Sequence, residues 1–448
     1  MMSLVSNLYK YGVLPESKPG NGFTTGRIRI AIIGASIVNR CARGAASGIY
    51  IVYSMANWLQ WANARLGCLL EPVVFGGIGG NPIAAVQNRY ATEVHPYVRE
   101  GDFVYVGGDG FGNSITSDIP VATMFSSWLT LISQILADGC TPIVATCPPN
   151  GNVTNAAKAN LWYGINNLVI AYAASDPRVI LQRWDMIHLS PTATYPNSPL
   201  ADGWTIDDTH PQPRLSIAIG DQLVDGLQAF LGSALAKVNA VPWHSHNSDS
   251  YRLVTNPTMS GTVGGVASNW TLAGAGAVGT KVSRSDLGHQ REYQRIVTTA
   301  GTAHSTLTAD VFTIPTVGVF IPAKGVDYVR AFARVKLNAA PTNLRGIQLD
   351  IQFNGSTQRT IGLSTGSIAA ASGGNYADAG PYMKVDEWLT ICTPHLLLPV
   401  GATGIRPIIT VSKSAAGNIT SDVYVSDVCI EVVPAAEVPP QSAAAVID

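Results

Sequence analysis

The spacing of apolar residues changes once along this chain of 448 residues, and this change constrains the fold more than any other feature. From about residue 27 to 232, short runs of β-forming residues alternate with longer segments whose apolar residues recur at helical spacing. The expected strands are Ile28–Ile33, Pro72–Phe75, Phe103–Val106, Pro142–Thr146 and Val179–Arg183. Strands that alternate with helices predict an α/β domain in which helices cover both faces of a parallel sheet.

The helical segments carry recognisable boundary residues. Asn81 and Pro82 have the residue types of an N-cap and a first helical position, and Gly139 is typical of a helix end. Pro211 is expected to begin a long amphipathic helix that closes this half of the chain.

After about residue 250 the helical spacing disappears, and eight strand-like segments follow with Gly, Asn or Pro between them. Short strands at this spacing predict an antiparallel β-sandwich of the jelly-roll kind. The expected divisions are an N-terminal arm (1–26), the α/β domain (27–235), a linker (236–254), the sandwich (255–435) and a Pro/Ala-rich tail (436–448).

Charge and composition argue against several classes of partner. With 28 basic and 29 acidic residues, the net charge of -1 gives no electrostatic reason to expect nucleic acid or an anionic membrane. No segment has the run of about 18 apolar residues that crosses a bilayer. The N-terminal segment lacks the basic start, apolar block and cleavage site of a secretory signal, so we expect neither a signal peptide nor an anchor.

The six cysteines show no CxxC pair or other metal-ligand spacing, so we expect isolated buried thiols rather than a zinc site. The only two histidines close in sequence are His244 and His246, and two ligands do not bind a metal without others. We therefore expect no metal.

The segment from Arg27 to Val38, "RIRIAIIGASIV", reads as a buried strand that stops at Gly34 and is followed directly by Ala35 and Ser36. Parallel sheets bind ligands at the carboxyl ends of their strands, which is where Ser36 is expected. The plainer alternative is a strand that ends in an ordinary turn.

A second segment, "DDTHP", places Asp207 three residues before His210 on a loop. A carboxylate at this spacing can reach one imidazole nitrogen, fix the tautomer and leave the other nitrogen available as a base. With a hydroxyl from elsewhere, the pair would complete a nucleophilic triad. Alternatively, Asp207 or Asp208 caps a helix and His210 is a surface histidine.

"IIGAS" early and "DDTHP" late, around an α/β core of about 200 residues, resemble the SGNH (GDSL-like) hydrolase family over residues 27–232. The resemblance implies a flavodoxin-like three-layer fold, with Ser36 as nucleophile, His210 as base and Asp207 as its partner. It implies no cofactor. The family has Gly-Asp-Ser in the first block, and Ala35 replaces that aspartate here. His188, three residues after Asp185, imitates the last block and is the substitute if Ser36 and His210 lie apart.

The family's second block contributes a glycine amide to the oxyanion hole. In "VVFGGIGGN" the match falls on Gly80, with Gly79 as the adjacent alternative, and the Ser36 amide is expected to donate as well. A glycine suits this position because a Cβ atom would obstruct the approach of the oxyanion.

The third block of the family is Gly-x-Asn-Asp, whose Asn side chain donates to the oxyanion. The matching segment here is "VYVGGDGFGNSI", with Asp109 where the Asn is expected, and an ionised Asp has no hydrogen to donate. Three alternatives remain: Asp109 is protonated, Asp109 matches the motif's second acid with the Asn deleted, or Asn113 donates instead. We favour Asn113, because four glycines between 107 and 112 allow an unusual loop path.

Segments at both ends of the second half, "TNPTMSGTVGGVASNWTL" and "SDVYVSDVCIEVV", resemble carbohydrate-binding jelly-roll modules. A trimerisation or packing domain is an equal alternative. Four aromatic residues of this half are candidates for stacking on a sugar, although core packing is the more common role for such residues: Trp270, Tyr376, Tyr382 and Trp388.

The layout as a whole is similar to that of phage tail-spike deacetylases, which are often homotrimers. The resemblance implies a serine esterase that removes O-acetyl groups from a polysaccharide, in an extracellular or virion-associated setting. Two alternatives remain: a glycan-binding protein without catalysis on the same fold, and a lipase or thioesterase.

Overall fold

The computed structural model describes the chain in sixteen stretches, and the statements below concern these alone. They are residues 27–38, 58–187, 189–190, 193–196, 204–205, 208–232, 253–261, 265–284, 291–314, 322–354, 359–364, 380–393, 395–414, 416–433, 435 and 438. Asp207, His188 and Tyr376, the predicted arm (1–26) and most of the predicted linker (236–252) lie outside them.

The first half forms a five-stranded parallel sheet in the order β2-β1-β3-β4-β5. The strands are β1 (Ile28–Gly34), β2 (Leu70–Gly77), β3 (Phe103–Val106), β4 (Thr141–Ala145) and β5 (Ile180–Gln182). The five predicted strands are therefore confirmed, with ends that differ by two residues or fewer. This order is the flavodoxin-like one, in which the chain reverses direction across the sheet between β1 and β3.

Helices cover both faces of this sheet. They are α1 (Trp58–Arg65), α2 (Ile83–Glu93), α3 (Asp109–Thr116), α4 (Val121–Ala137), α5 (Ala156–Ser175), α6 (Trp184–Ile187) and α7 (Pro213–Leu231). Helices α1 and α7 share one apolar core with the sheet, while α2 to α5 share a second core on the opposite face. The result is the predicted three-layer α/β domain. Within the described residues, no helix has the combination of length and apolarity needed to cross a bilayer.

Two helix starts differ from the sequence prediction. Pro82 was expected to be the first helical residue after an N-cap at Asn81. In the structure Pro82 has extended backbone and is itself the N-cap, so α2 begins at Ile83. Pro211 pairs with Thr205 in an isolated antiparallel bridge, and α7 begins two residues later at Pro213. Tertiary pairing of the loop thus overrides the local helix signal at Pro211.

The second half forms two antiparallel six-stranded sheets that pack around one core. One sheet has the order β13-β12-β16-β9-β6, with β10 also paired to β16; the other has the order β14-β11-β17-β8-β7, with β15 paired to β11. The strands are β6 (Trp270–Ala273), β7 (Ala277–Arg284), β8 (Arg291–Gly301), β9 (Ser305–Ala309), β10 (Phe312–Thr313), β11 (Tyr328–Leu337), β12 (Leu344–Asn354), β13 (Arg359–Ser364), β14 (Trp388–Cys392), β15 (Leu396–Leu397), β16 (Gly404–Lys413) and β17 (Ile419–Val433).

The predicted antiparallel sandwich is thus present, with two strands that the sequence did not reveal. Both β6 and β7 lie in "WTLAGAGAVGTKVSR", where small residues conceal the alternation of a strand. Trp270 on β6 is 6% exposed and belongs to the sandwich core, which excludes it from stacking on a sugar. Tyr382 and Trp388 are half-buried.

The two domains meet at the amino ends of β1 and β2. Arg27, just before β1, forms ion pairs with Glu71 on β2 and with Glu431 on the sandwich strand β17. Arg330 on β11 donates to the same Glu71 carboxylate at 2.9 Å. Because Ser36 follows the carboxyl end of β1, this charged contact lies at the edge of the parallel sheet opposite to Ser36.

Two buried thiols lie at this boundary. The Cys68 thiol donates to the Thr390 carbonyl at 2.9 Å, and Arg330 donates to the sulfur of Cys392 at 3.2 Å. The cysteines that the structure describes are all buried and form no disulfide: Cys68, Cys140, Cys147, Cys392 and Cys429.

His395 lies beside this charged contact, with its Nδ1 atom 3.8 Å from a Glu71 oxygen. Its pKa is lowered to about 3, mainly because burial disfavours the imidazolium; Glu71 opposes this shift, while Arg330 and Arg27 add to it. An unfolded histidine has a pKa of about 6.5. Below that pH the unfolded chain binds a proton that the folded chain does not, so stability falls as the pH drops from about 6.5 toward 3.

We therefore expect the free energy of unfolding to fall by about 1.4 kcal/mol between pH 7.5 and 5.5 through this residue. In His395→Gln that part of the pH dependence should disappear. Denaturant unfolding at both pH values measures it, with His95→Gln, at an exposed histidine, as the matched control. An unchanged pH dependence in His395→Gln would contradict the assignment.

Candidate active site

Ser36 occupies the turn that follows β1. Gly34 ends the strand, and residues 36–38 have helical backbone. Ser36 is half-buried, whereas Ala35, Ile37 and Val38 around it are buried. The turn lies where the strand order of the sheet reverses, between β1 and β3, and this is the usual ligand-binding edge of such sheets.

A single buried carboxylate holds this turn. Asp109, the first residue of α3, is 5% exposed. Its Oδ1 atom accepts from the Ala35 amide at 3.0 Å, and its Oδ2 atom accepts from the Ile37 and Val38 amides at 2.7 and 3.0 Å. Asp109 thus binds the amides on both sides of Ser36, but not the amide of Ser36 itself.

These contacts decide what Asp109 can do. Burial raises the pKa of Asp109 above its usual value, and the amide donors from Ala35, Val38 and Ile37 oppose that shift. Three amide donors favour the ionised carboxylate, and an ionised carboxylate has no hydrogen to offer an oxyanion. The geometry therefore favours the alternative in which Asp109 corresponds to the second acid of the motif.

The position before Asp109 has no room for a side chain. A Cβ atom at Gly108 would lie 1.9 Å from the Thr146 carbonyl oxygen, on the neighbouring strand's exit loop. At Gly107 it would lie 2.4 Å from a methyl carbon of Val38. An asparagine therefore cannot occupy position 108 while β3 and β4 are paired as they are.

Sequence reasoning missed a second support of the turn. Arg89 on α2 donates to the carbonyl oxygen of Gly34 at 2.8 Å and to that of Gly76, near the end of β2, at 3.0 Å. Its guanidinium also pairs with Glu93, four residues along the helix. The i,i+4 spacing of Arg89 and Glu93 predicts only an ordinary helix surface pair. A cation thus fixes the end of β1, while a carboxylate fixes the turn that follows.

A small cleft opens beside Ser36. Its lining residues are Ser36, Ile37, Asp109, Gly112, Asn113, Pro148, Asn150, Asn152 and Thr209. The structure thus brings Ser36 and Asn113 to one cleft with Thr209, the residue before His210. Among the described side chains, no cluster of three His, Cys, Asp or Glu could hold a metal ion.

The loop that carries His210 is closed at its base. Thr205 and Pro211 form an antiparallel bridge, and the Gln212 amide donates to the Trp204 carbonyl at 2.9 Å. His210 is half-buried and directly precedes Pro211. Because Asp207 lies outside the described residues, its pairing with His210 stays a prediction.

Gly79 and Gly80 are exposed, and neither is among the residues that line the cleft. Gly80 has a φ of +78°, and a Cβ atom there would meet no atom within 4 Å. The backbone conformation, rather than the expected shortage of space, is what favours glycine at this position. The adjacent Ile78 amide donates to the Gly34 carbonyl at 3.3 Å, which ties this loop to the end of β1.

Asn113 is half-buried on α3 and lines the cleft, as the sequence suggested for an oxyanion donor. Its side-chain nitrogen donates to the Asn81 carbonyl at 3.0 Å. One of its two amide hydrogens is therefore engaged by the loop after β2, and its role as a donor stays a prediction.

Comparison with known proteins gives fold neighbours but no sequence relative. No family model matches the chain, and no curated protein matches it. Among solved structures, it is similar to a carbohydrate acetylesterase from Sinorhizobium meliloti, with 14% identity over 45% of this chain and 99% of that chain and a TM-score of 0.35. A GDSL-like lipase from Bacteroides thetaiotaomicron has 14% identity over 47% of this chain and 88% of its own, with a TM-score of 0.31.

The enzymatically active domain of tailspike protein 4 from bacteriophage CBA120 is also similar. It has 14% identity over 40% of this chain and 22% of that chain, with a TM-score of 0.25. The activity of this chain must therefore be inferred from its own residues.

We expect Asp109→Asn to destabilise the α/β domain by about 3 kcal/mol, because the new amide group would direct hydrogens toward backbone donors. Amide hydrogen exchange measures the effect directly: the Ala35, Ile37 and Val38 amides should exchange faster. Asp225→Asn, at an exposed position of α7, is the matched control and should behave like the wild type. Unchanged exchange in Asp109→Asn would contradict the assigned contacts.

Proposed function

We propose that this chain is a serine esterase that removes acyl groups, and O-acetyl groups in particular, from a polysaccharide. The observation that carries the proposal is the placement of Ser36. It lies at the carboxyl end of β1, on a turn that Asp109 and Arg89 fix, and it lines a cleft with Thr209 beside His210.

In the proposed reaction the Ser36 hydroxyl attacks the ester carbonyl carbon while His210 takes its proton. The tetrahedral intermediate then collapses, the sugar oxygen leaves, and His210 returns the proton to it. Water, activated by the same imidazole, releases the acid from the acyl-enzyme and restores Ser36. Asp207 would orient His210, and the Ser36 and Gly80 amides with Asn113 would stabilise the oxyanion.

The lining of the cleft supports a small acyl group on a polar substrate. Asparagine and threonine side chains form much of it, namely Asn113, Asn150, Asn152 and Thr209. Such groups suit the hydroxyls of a sugar, whereas a long alkyl chain requires an apolar pocket. A higher kcat/KM for long-chain esters than for acetate would favour the lipase alternative.

One observation favours a glycan-binding protein without catalysis as the second candidate. The backbone around Gly108 leaves no room for the asparagine that donates to the oxyanion in the family that the sequence resembles. Loss of such a donor typically lowers kcat by about 10²–10³. This candidate predicts sugar binding without ester turnover.

We expect Ser36→Ala to abolish the release of p-nitrophenol from p-nitrophenyl acetate, a loss of at least about 10³-fold in kcat. Ser126→Ala removes an exposed hydroxyl on α4 and is the matched control, with expected wild-type turnover. If the wild type and Ser36→Ala are equally inert, the esterase proposal fails, and binding to a glycan array tests the second candidate.

Asn113→Ala is expected to lower turnover with little effect on folding, because the side chain lies at the cleft and makes one contact with a loop carbonyl. The expected loss in kcat is about 10²-fold, with KM nearly unchanged. Wild-type turnover in this variant would remove Asn113 from the proposed oxyanion hole.

A further inference from the structure

Position 108 is a glycine with no room for a side chain, so another group must donate to the oxyanion in the proposed reaction. Asp109 accepts three hydrogen bonds and has none to donate. Side-chain donors must therefore come from other positions. Asn113 is one candidate, and the loop that follows β4 (Thr141–Ala145), the strand paired with β3, offers a second.

Asn150 on this loop lines the same cleft as Ser36 and is 3% exposed. Its Oδ1 atom accepts from the Asn152 amide at 3.1 Å, which determines the orientation of the side-chain amide. The Nδ2 atom, on the opposite side of the side-chain amide from Oδ1, donates only one long hydrogen bond, 3.4 Å, to the Pro148 carbonyl oxygen. At least one Nδ2 hydrogen is therefore available in a buried, polar part of the cleft.

The facing helix leaves space for this nitrogen. A Cβ atom at Gly112 on α3 would lie 3.1 Å from Asn150 Nδ2, closer than most real Cβ contacts. The glycine in "GFGNS" thus keeps room beside the donor. It also explains in part why this segment is so rich in glycine.

The loop that carries Asn150 is firmly held. Asn166 on α5 clamps Cys147 through two bonds, accepting from its amide at 2.7 Å and donating to its carbonyl at 3.1 Å. Trp162 donates to the Pro148 carbonyl at 3.1 Å. At the far end of the loop, the Gly151 amide donates to the carbonyl of Asp208 in the His210 loop at 3.1 Å. A donor on such a scaffold needs little reorganisation when charge develops on the substrate.

We propose that Asn150 supplies a second side-chain donor to the oxyanion hole, beside Asn113, in a site where position 108 has no room for an asparagine. The inference rests on the proposed esterase function. During attack by Ser36, the carbonyl oxygen of the ester becomes an oxyanion, and Asn150 Nδ2 donates to it beside the Ser36 amide.

Asn150→Asp separates this role from a structural one. An aspartate keeps the acceptor for the Asn152 amide but loses the donor and places negative charge near the oxyanion. We expect kcat for p-nitrophenyl acetate, per folded molecule, to fall by at least about 10²-fold, with KM nearly unchanged. The denaturant midpoint should fall as well, because the new carboxylate is buried beside the Pro148 carbonyl. Asn150→Ala should lose less than Asn150→Asp, because it removes the donor without adding charge.

Asn160→Asp makes the same change at an exposed position of α5 and is the matched control, with expected wild-type kinetics. Wild-type kcat in a folded Asn150→Asp variant would overturn the inference while leaving the esterase intact. An absence of Ser36-dependent turnover in the wild type would instead overturn both. The donor role would also be contradicted by a third outcome. In it, Asn150→Ala has wild-type kcat, and the activity of Asn150→Asp falls only as far as folded protein is lost.

Discussion

The geometry around Ser36 depends on the Asp109 carboxylate. A turn that leaves a buried strand exposes several amide hydrogens where no further strand can accept them, and unpaired buried amides are costly. Asp109 accepts three of them from across the β1–β3 junction. The pairing of β3 with β4 on its other side brings the backbone at Gly108 against the Thr146 carbonyl. The two neighbours of β3 thus determine the support for the turn and the absence of a side chain at position 108.

Local sequence patterns were sufficient for the α/β half of the fold. Each of the five strands is a short apolar run bounded by turn residues, and the position of Ser36 at a strand end follows from that pattern alone. The contact between Asp109 and the amides of residues 35–38 did not follow, because it joins positions more than 70 residues apart. Only the pairing of β1 with β3 creates it.

Other features escaped prediction for different physical reasons. Arg89 looks like half of a surface ion pair, and only the fold shows that it reaches the Gly34 carbonyl. Asn150 was not among the predicted site residues, because its place at the cleft depends on the clamp made by Asn166. In the sandwich, β7 was missed because its small residues, among them Ala277 and Gly279, give no clear alternating pattern. The start of α7 was misplaced because Pro211 pairs with a strand-like partner.

The boundary between the domains includes a buried charged network beside its apolar contacts. Arg27, Glu71, Arg330 and Glu431 are all nearly buried there and pair with one another across three strands. Such a network contributes less to net stability than its short distances suggest, because each charge loses its hydration. Its geometric demands are strict, however, since removal of any one partner leaves a buried charge unpaired. The network thus restricts the two domains to one relative placement.

That placement has a consequence for how the two halves communicate. β1 is seven residues long, so its ends are separated by about 20 Å at roughly 3.3 Å per residue. The charged contact with the sandwich lies at one end of this strand and Ser36 at the other. A substitution in that charged network and one at the Ser36 turn share no contacts, so their energetic effects should sum independently.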